Sequence, residues 1–207
     1  MTTLILVRHG QSEANVSRHF ACRTDTPLSP LGKQQAQALA AYLPQHFKID
    51  KIYASTLSRT RDTVLPTAAA LGLPVFEDAG LLEIDAGRWE NVHTSILKED
   101  KTSGFDLWQT DVGSIKCPDG ESVAELFDRV VGTVLRLAAE NEGKTLLRAS
   151  HWTPIHALLT FAKGKTVKDM QESDFIIPNA SLHVLTFENG RLTPVALGIV
   201  EHLEALA

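Results

Sequence analysis

An apolar run near the start of the chain, Leu4-Ile5-Leu6-Val7, ends abruptly at Arg8-His9-Gly10. Such a run is typical of a strand that is buried on both faces, which occurs mainly in parallel sheets covered by helices. Ligands bind at the carboxyl ends of the strands in sheets of this kind. A histidine placed there can attack a ligand, and the arginine beside it indicates that this ligand is an anion.

The rest of the chain alternates between strand and helix patterns. We predict a hairpin that turns at Asn189-Gly190, a dipeptide favoured in two-residue turns. The pattern as a whole predicts an α/β fold, a three-layer α/β/α sandwich with a mostly parallel mixed sheet, in a single domain over residues 1–207. The predicted strands are 3–7, 51–54, 74–77, 145–149, 181–187 and 191–197, and the predicted helices begin at Pro30 or span about 58–70, 94–100, 123–138 and 154–162.

Composition argues against several classes of protein. With a net charge of −5, the chain lacks the basic surface that nucleic-acid binding requires. No apolar run approaches the ~20 residues that span a bilayer, and the N-terminus has no leader pattern, so we expect a cytoplasmic protein without membrane contact. Cys22 and Cys117 are expected to remain free thiols. The histidines outside the motifs below lack metal-ligand spacing, so we predict no metal and no other cofactor.

Four separated segments carry the polar residues on which the functional prediction depends. In chain order they are Arg8-His9-Gly10 with Ser12 and Asn15, Ser55-Thr56-Leu57-Ser58-Arg59 with Thr63, Leu82-Glu83 with Gly87 and Trp89, and Ser150-His151. Together they resemble the motifs of the histidine phosphatase superfamily, also called the phosphoglycerate mutase-like family, over nearly the whole chain. Arg-His-Gly alone is weak evidence, whereas four motifs in the family's order are specific.

The resemblance implies a metal-independent phosphomonoesterase in which His9 becomes phosphorylated. A neutral histidine offers a ring lone pair without prior deprotonation. Arg8 and Arg59 would match the phosphate oxygens with planar forks of N–H donors. A protonated His151 would complete the cage, and the Asn15 amide would donate to the same oxygens.

The resemblance also implies a carboxylic acid that protonates the departing alkoxide and later accepts a proton from water. Glu83 is the candidate, although Glu77, Asp78 and Asp85 lie nearby. Leu82 before Glu83 and Gly87-Arg88-Trp89 after it select this residue.

Three residues depart from the family pattern. Trp152 stands where small residues usually follow the second histidine; its backbone N–H can still bind phosphate, while its indole either narrows the pocket mouth or packs on the following helix. Arg148 stands in a strand that should be apolar, so we predict that it pairs with a carboxylate or reaches solvent. Asn91 replaces a glycine after Trp89-Glu90, which makes the shape of that loop uncertain.

Two other functions remain open at this point. The small phosphatases of the family are favoured by the sequence around Glu83, and the substrate would then be a small phosphate ester. The first alternative is a cofactor-dependent phosphoglycerate mutase. The second is a catalytically silent relative that binds a phosphorylated ligand without converting it. Substrate choice is assigned to Arg18, Arg23 and Trp108, in two irregular segments. The identity of the substrate and the oligomeric state are left open.

Overall fold

One mixed sheet organises the structure, a computed structural model that describes residues 1–172 and 175–206. Its strands are β1 (Thr2–Arg8), β2 (Lys51–Ala54), β3 (Val75–Glu77), β4 (Thr145–Ser150), β5 (Leu182–Glu188) and β6 (Arg191–Ile199), in the order β3-β2-β4-β1-β5-β6. Strands β1 to β4 are parallel, whereas β5 runs antiparallel to β1 and β6 antiparallel to β5. The predicted mostly parallel, mixed sheet is therefore confirmed.

Helices cover both faces of this sheet and complete three layers. The α-helices are α1 (Glu13–Ser17), α2 (Pro30–His46), α3 (Ser58–Leu71), α4 (Thr94–Glu99), α5 (Leu107–Thr110), α6 (Val123–Ala139) and α7 (Trp152–Ala162). One face of β1, β2 and β4 packs against α2 and α3, and the other packs against α6 and α7, so a separate apolar core fills each side. No helix in the described ranges is both long and apolar enough to cross a membrane.

Local sequence signals explain where these elements begin and end. Ser29 caps α2 by accepting the N–H of Gly32 at 3.1 Å, and Pro30 occupies the first turn. The turn of the final hairpin has positive φ at both Asn189 and Gly190, as a two-residue turn that continues the sheet twist requires. The short helix α1 lies in a segment that the sequence pattern leaves irregular.

The expectation for Arg148 is wrong. The side chain is fully buried in β4, and it forms no ion pair with any described carboxylate. Its Nη1 donates to the carbonyl of Val134 at 3.3 Å, while Nε and Nη2 have no partner among the described residues. Burial lowers the pKa of this guanidinium to about 9. A cation therefore lies inside the core on the side of the sheet that α6 covers, and no described carboxylate forms an ion pair with it.

Candidate active site

The carboxyl ends of two neighbouring strands bring the two motif histidines together. Arg8 pairs with Ser150 in the register of β1 and β4, so His9 and His151 leave the sheet side by side. The His9 N–H donates to the Ser150 carbonyl at 3.0 Å, and the two imidazole centroids lie 5.2 Å apart. Ser55 follows β2 at the same edge. Because β1, β4 and β2 run parallel side by side, motifs that are far apart in the sequence meet at one edge of the sheet.

Close backbone packing fixes the turn that presents His9. The N–H of Gly10 donates to Thr63 Oγ1 at 2.8 Å, which ties the turn to α3. A Cβ on Gly10 would lie 2.8 Å from the carbonyl oxygen of Gly32, and a Cβ on Gly32 would overlap the carbonyl of Gln11. Both glycines are required because two stretches of backbone meet there without room for a side chain.

His9 is oriented as a nucleophile. Its Nδ1 lies 2.7 Å from the carbonyl oxygen of Gly10; a carbonyl only accepts, so Nδ1 carries the proton and Nε2 retains its lone pair. Burial, followed by the charges of Arg8 and Arg59, holds the pKa of His9 well below its usual range. The imidazole is therefore neutral at physiological pH, with one free lone pair.

Two arginines supply positive charge to the site, and peptide carbonyls rather than described carboxylates accept their hydrogen bonds. Arg8 donates from Nη1 to the carbonyl of Ile177 at 2.7 Å. Arg59, which is almost fully buried, donates to the carbonyls of Thr24 at 2.9 Å and Cys22 at 2.7 Å. Neither arginine forms an ion pair within residues 1–172 and 175–206. Burial lowers the pKa of Arg8 to about 10, so both guanidinium groups remain charged and attract anions.

A chain of hydroxyl groups behind the sheet edge fixes the ring of His151. Its Nε2 lies 2.7 Å from Ser55 Oγ, which lies 2.9 Å from Thr60 Oγ1. The Thr60 hydroxyl donates its single proton to a backbone carbonyl, that of Leu57 at 2.7 Å. Ser55 must then donate to Thr60 and accept from the Nε2–H of His151. The buried Nδ1 of His151 has no partner in the described part of the chain.

Nδ1 is consequently the atom at which the charge of His151 can change. Burial is the main reason why the pKa of His151 lies well below its usual range, and Arg59 and His9 lower it further. The expected protonated imidazole is therefore not the state of the unliganded site. An anion bound beside Nδ1 would favour its protonation, because an opposite charge stabilises the cationic form.

Glu83 is the one buried carboxylate near these groups among the described residues. Its Oε1 accepts the N–H of Ile84 at 2.8 Å, and its Oε2 accepts the N–H of Thr153 in the first turn of α7 at 3.3 Å. Burial raises the pKa of Glu83, although these donors and the charge of Arg59 oppose the shift. Glu77, Asp78 and Asp85 are more exposed than Glu83, which favours Glu83 as the acid.

A cavity of about 350 Å³ opens in front of this cluster. Two predicted site residues are not among those that line it: His151, which is fully buried beside His9, and Arg23, which forms an ion pair with Glu121 at 3.5 Å. The charge of Arg23 nevertheless contributes to lowering the pKa of His151. The predicted site residues that do line the cavity are Arg8, His9, Asn15, Arg18, Arg59, Glu83, Trp108 and Trp152.

The Trp152 side chain packs on its own helix and also reaches the cavity. Its ring contacts His156 of the same helix edge to face, at 4.8 Å between centroids, and also lines the cavity. Asn15 accepts the N–H of Ser12 and an amide proton of Asn179 through the same Oδ1 atom. Its Nδ2 group therefore remains available as a donor at the cavity wall.

The sequence analysis did not identify Glu90, which holds the loop whose Cys22 and Thr24 carbonyls bind Arg59. The carboxylate of Glu90 accepts the backbone N–H groups of Arg23 at 3.1 Å and Thr24 at 2.8 Å, and so fixes the carbonyls that bind Arg59. No local signal marks this role, because the partners are 66 and 67 residues apart. The next residue, Asn91, has φ of 58°, a conformation that asparagine tolerates in place of glycine.

Ser55 and Thr63 also orient the site, and both belong to the second motif, whose spacing is the signal that could have revealed these roles. No cluster of three His, Cys, Asp or Glu side chains that could hold a metal ion occurs in the described part of the chain.

The fold and this cluster define a class of protein, an α/β enzyme that transfers phosphoryl groups through histidine. A profile of the histidine phosphatase superfamily, branch 1, matches residues 4–200. The chain belongs to this superfamily.

Named relatives place the chain among the phosphatases of the superfamily. Phosphoserine phosphatase 1 of Hydrogenobacter thermophilus is 32% identical over 98% of this chain and 95% of its own length. The solved structure of Bacillus stearothermophilus YhfR has a TM-score of 0.91 at 25% identity, with 99% and 100% of the two chains covered. The Entamoeba histolytica phosphoserine phosphatase, solved with 3-phosphoglyceric acid, has a TM-score of 0.82 at 27% identity, with 98% and 100% covered. These findings confirm the predicted phosphomonoester hydrolase.

Proposed function

We propose that the protein hydrolyses small phosphate monoesters through a phosphohistidine formed on His9, without a metal ion or other cofactor. One observation carries this proposal: the Nδ1–H of His9 is tied to the Gly10 carbonyl, which leaves a free Nε2 lone pair between two charged arginines. That arrangement supplies both a nucleophile and the positive charge that the phosphoryl group needs.

In the first half of the proposed reaction, His9 Nε2 attacks phosphorus while the bond from phosphorus to the ester oxygen breaks. The leaving alkoxide takes a proton from Glu83, whose pKa is raised by burial, which favours the protonated acid that this step requires. Arg8 and Arg59 bind the equatorial phosphate oxygens, which carry the charge in the transition state.

In the second half, water attacks phosphorus, and the bond from phosphorus to Nε2 of His9 breaks. Glu83, now a carboxylate, accepts a proton from that water, which returns the acid to its starting state. Inorganic phosphate leaves, and His9 is again neutral. Each proton and electron pair is thus restored, so the cycle requires no further reactant.

We propose three further groups that contact the phosphate. We assign Nδ1 of His151 as a donor once it is protonated, because it has no other partner among the described residues. The Nδ2 group of Asn15 and the backbone N–H of Trp152 in the first turn of α7 are proposed as further donors. Arg18 lines the cavity and is proposed to contact the alcohol part of the substrate.

We also propose a cytoplasmic location. Cys22 and Cys117 are buried free thiols, which is typical of proteins kept in a reducing compartment.

The test measures phosphate release from a panel of phosphomonoesters in the presence of a chelator. The wild type should turn over, and His9→Ala should lose all activity, whereas His46→Ala, at an exposed histidine on α2, should remain active. Wild-type protein quenched during turnover should carry acid-labile, alkali-stable phosphate at His9. Phosphoryl exchange between phosphoglycerates without net release would instead identify a mutase, and binding without turnover a silent relative.

A further inference from the structure

A second cavity adjoins the one that contains the phosphate site. Its volume is about 520 Å³, larger than the first, and the two share the walls formed by Phe20, Thr94, Trp108 and Trp152. A ligand whose phosphate lies at His9 can therefore extend past these side chains into further space.

The shared walls are aromatic and firmly packed. The Phe20 ring contacts Trp108 at 5.6 Å and Phe105 at 5.2 Å between centroids, both edge to face. Trp89 supports the same group from the core, at 5.4 Å from Phe105. Trp152 is supported from behind by His156. Rings held in this way form a rigid apolar surface, and a flat apolar ligand loses little of its binding energy in ordering such a surface.

Charge in the second cavity is confined to side chains that solvent reaches. Lys98, Lys101 and Asp106 line it, and all three residues are exposed. The ammonium group of Lys101 already donates to the carbonyl of Lys98 at 3.1 Å. The second cavity therefore offers no buried cation for a carboxylate.

We propose that the second cavity binds the alcohol part of the substrate and selects a flat, apolar group such as an aromatic ring. This inference rests on the proposed phosphatase function and names the substrate class for the same site. A compact polar alcohol such as serine would leave the aromatic walls uncovered.

Binding of inert phosphonates tests the inference without any turnover. We would measure the affinity of propylphosphonate and of 3-phenylpropylphosphonate for the wild-type protein by calorimetry. Burial of the phenyl ring should increase affinity roughly 10- to 100-fold. An increase of less than about twofold would overturn the proposal.

Variants locate the preference at the proposed walls. Trp108→Ala should remove most of the gain from the phenyl ring, whereas Trp108→Phe should keep most of it. Phe76→Ala, which truncates an exposed aromatic residue on β3, is the matched control and should leave the gain unchanged. An unchanged gain in Trp108→Ala would show that the ring binds elsewhere and would overturn the proposal. The comparison in the wild type needs no variant to fold.

Hydrolysis separates the two proposals from each other. Ethyl phosphate and 2-phenylethyl phosphate have similar leaving groups, so their kcat/KM ratio reports recognition rather than reactivity. We expect kcat/KM to be roughly tenfold or more higher for 2-phenylethyl phosphate than for ethyl phosphate. We also expect 2-phenylethyl phosphate to be preferred over phosphoserine. Turnover with no phenyl preference, or with phosphoserine preferred, would overturn the subsite and leave the phosphatase function. If the protein binds the phenyl phosphonate more tightly but hydrolyses no ester, the phosphatase function is overturned and the subsite stands.

Discussion

Replacement of Arg148 by methionine should stabilise the protein. The guanidinium is fully buried in β4, has one hydrogen bond, to Val134, and has no carboxylate partner in residues 1–172 and 175–206. Methionine fills a similar elongated volume without any polar group, and its flexibility lets it adapt to the surrounding core. Exchange of a buried unpaired charge for an apolar side chain removes a desolvation cost.

The pKa of Arg148 sets the size of this effect. Burial lowers it from the ordinary value of an arginine to about 9, which corresponds to roughly 5 kcal/mol of cost for keeping the folded protein charged. Loss of the hydrogen bond to Val134 offsets about 2 kcal/mol of this cost. The free energy of unfolding of Arg148→Met should therefore exceed that of the wild type by about 3 kcal/mol. As the pH rises above about 9 towards the ordinary pKa of arginine, Arg148 keeps its proton in the unfolded chain and loses it in the folded one. Wild-type stability contributed by this group therefore rises through that window, and the full cost is present at pH 7.

Guanidinium denaturation followed by circular dichroism checks this prediction. The midpoint should rise at an unchanged m-value, and Tm should rise by about 6 to 12 °C. Arg148→Lys keeps a buried charge and should not stabilise. Arg88→Met, at a largely exposed arginine, should change stability by less than about 0.5 kcal/mol. Destabilisation of Arg148→Met by 1 kcal/mol or more would refute the reasoning, since the charge would then be well solvated inside the fold.

Three further predictions concern the site. Glu83→Gln should lower kcat for alkyl phosphates about 10²- to 10⁴-fold but affect p-nitrophenyl phosphate far less, because that leaving group needs no proton; equal losses would remove Glu83 as the acid. Phosphate binding near pH 7 should take up about one proton at His151, measured by calorimetry in buffers of different ionisation enthalpy, and His151→Gln should abolish this uptake. In Gly32→Ala the new Cβ overlaps the carbonyl of Gln11, so the free energy of unfolding from denaturant titrations should fall by about 1–3 kcal/mol and kcat should decrease. The control Gly132→Ala, on the open face of α6, should raise the free energy of unfolding slightly.

Strong local patterns account for the parts of the fold that could be predicted from sequence. The apolar run before Arg8 and the Asn189-Gly190 turn each specify their element without help from distant residues. The alternation of strands and helices predicts a mostly parallel sheet but not its strand order, and it is the observed order that brings His9 and His151 together. The family motifs selected Glu83 from among several nearby acids, and its burial favours the same choice.

Contacts between distant segments explain what the sequence did not reveal. The acceptor role of Glu90 depends on backbone N–H groups, which leave no trace in residue type. The prediction that Arg148 is paired assumed that a buried cation must find a carboxylate, yet one carbonyl is its only described partner. The neutral state of His151 also depends on burial, which becomes measurable only when the layers have been placed.

The arginines of the site are held by peptide carbonyls rather than by acidic side chains. Every residue type carries a carbonyl, so the residues at 22, 24 and 177 can change during evolution without releasing Arg8 or Arg59. Two of these carbonyls lie in a loop whose Cys22 also lines the cavity. The side chains of this loop that face the substrate can therefore change while the two arginines keep the positions from which they bind phosphate. One scaffold can in this way accept many different substrates.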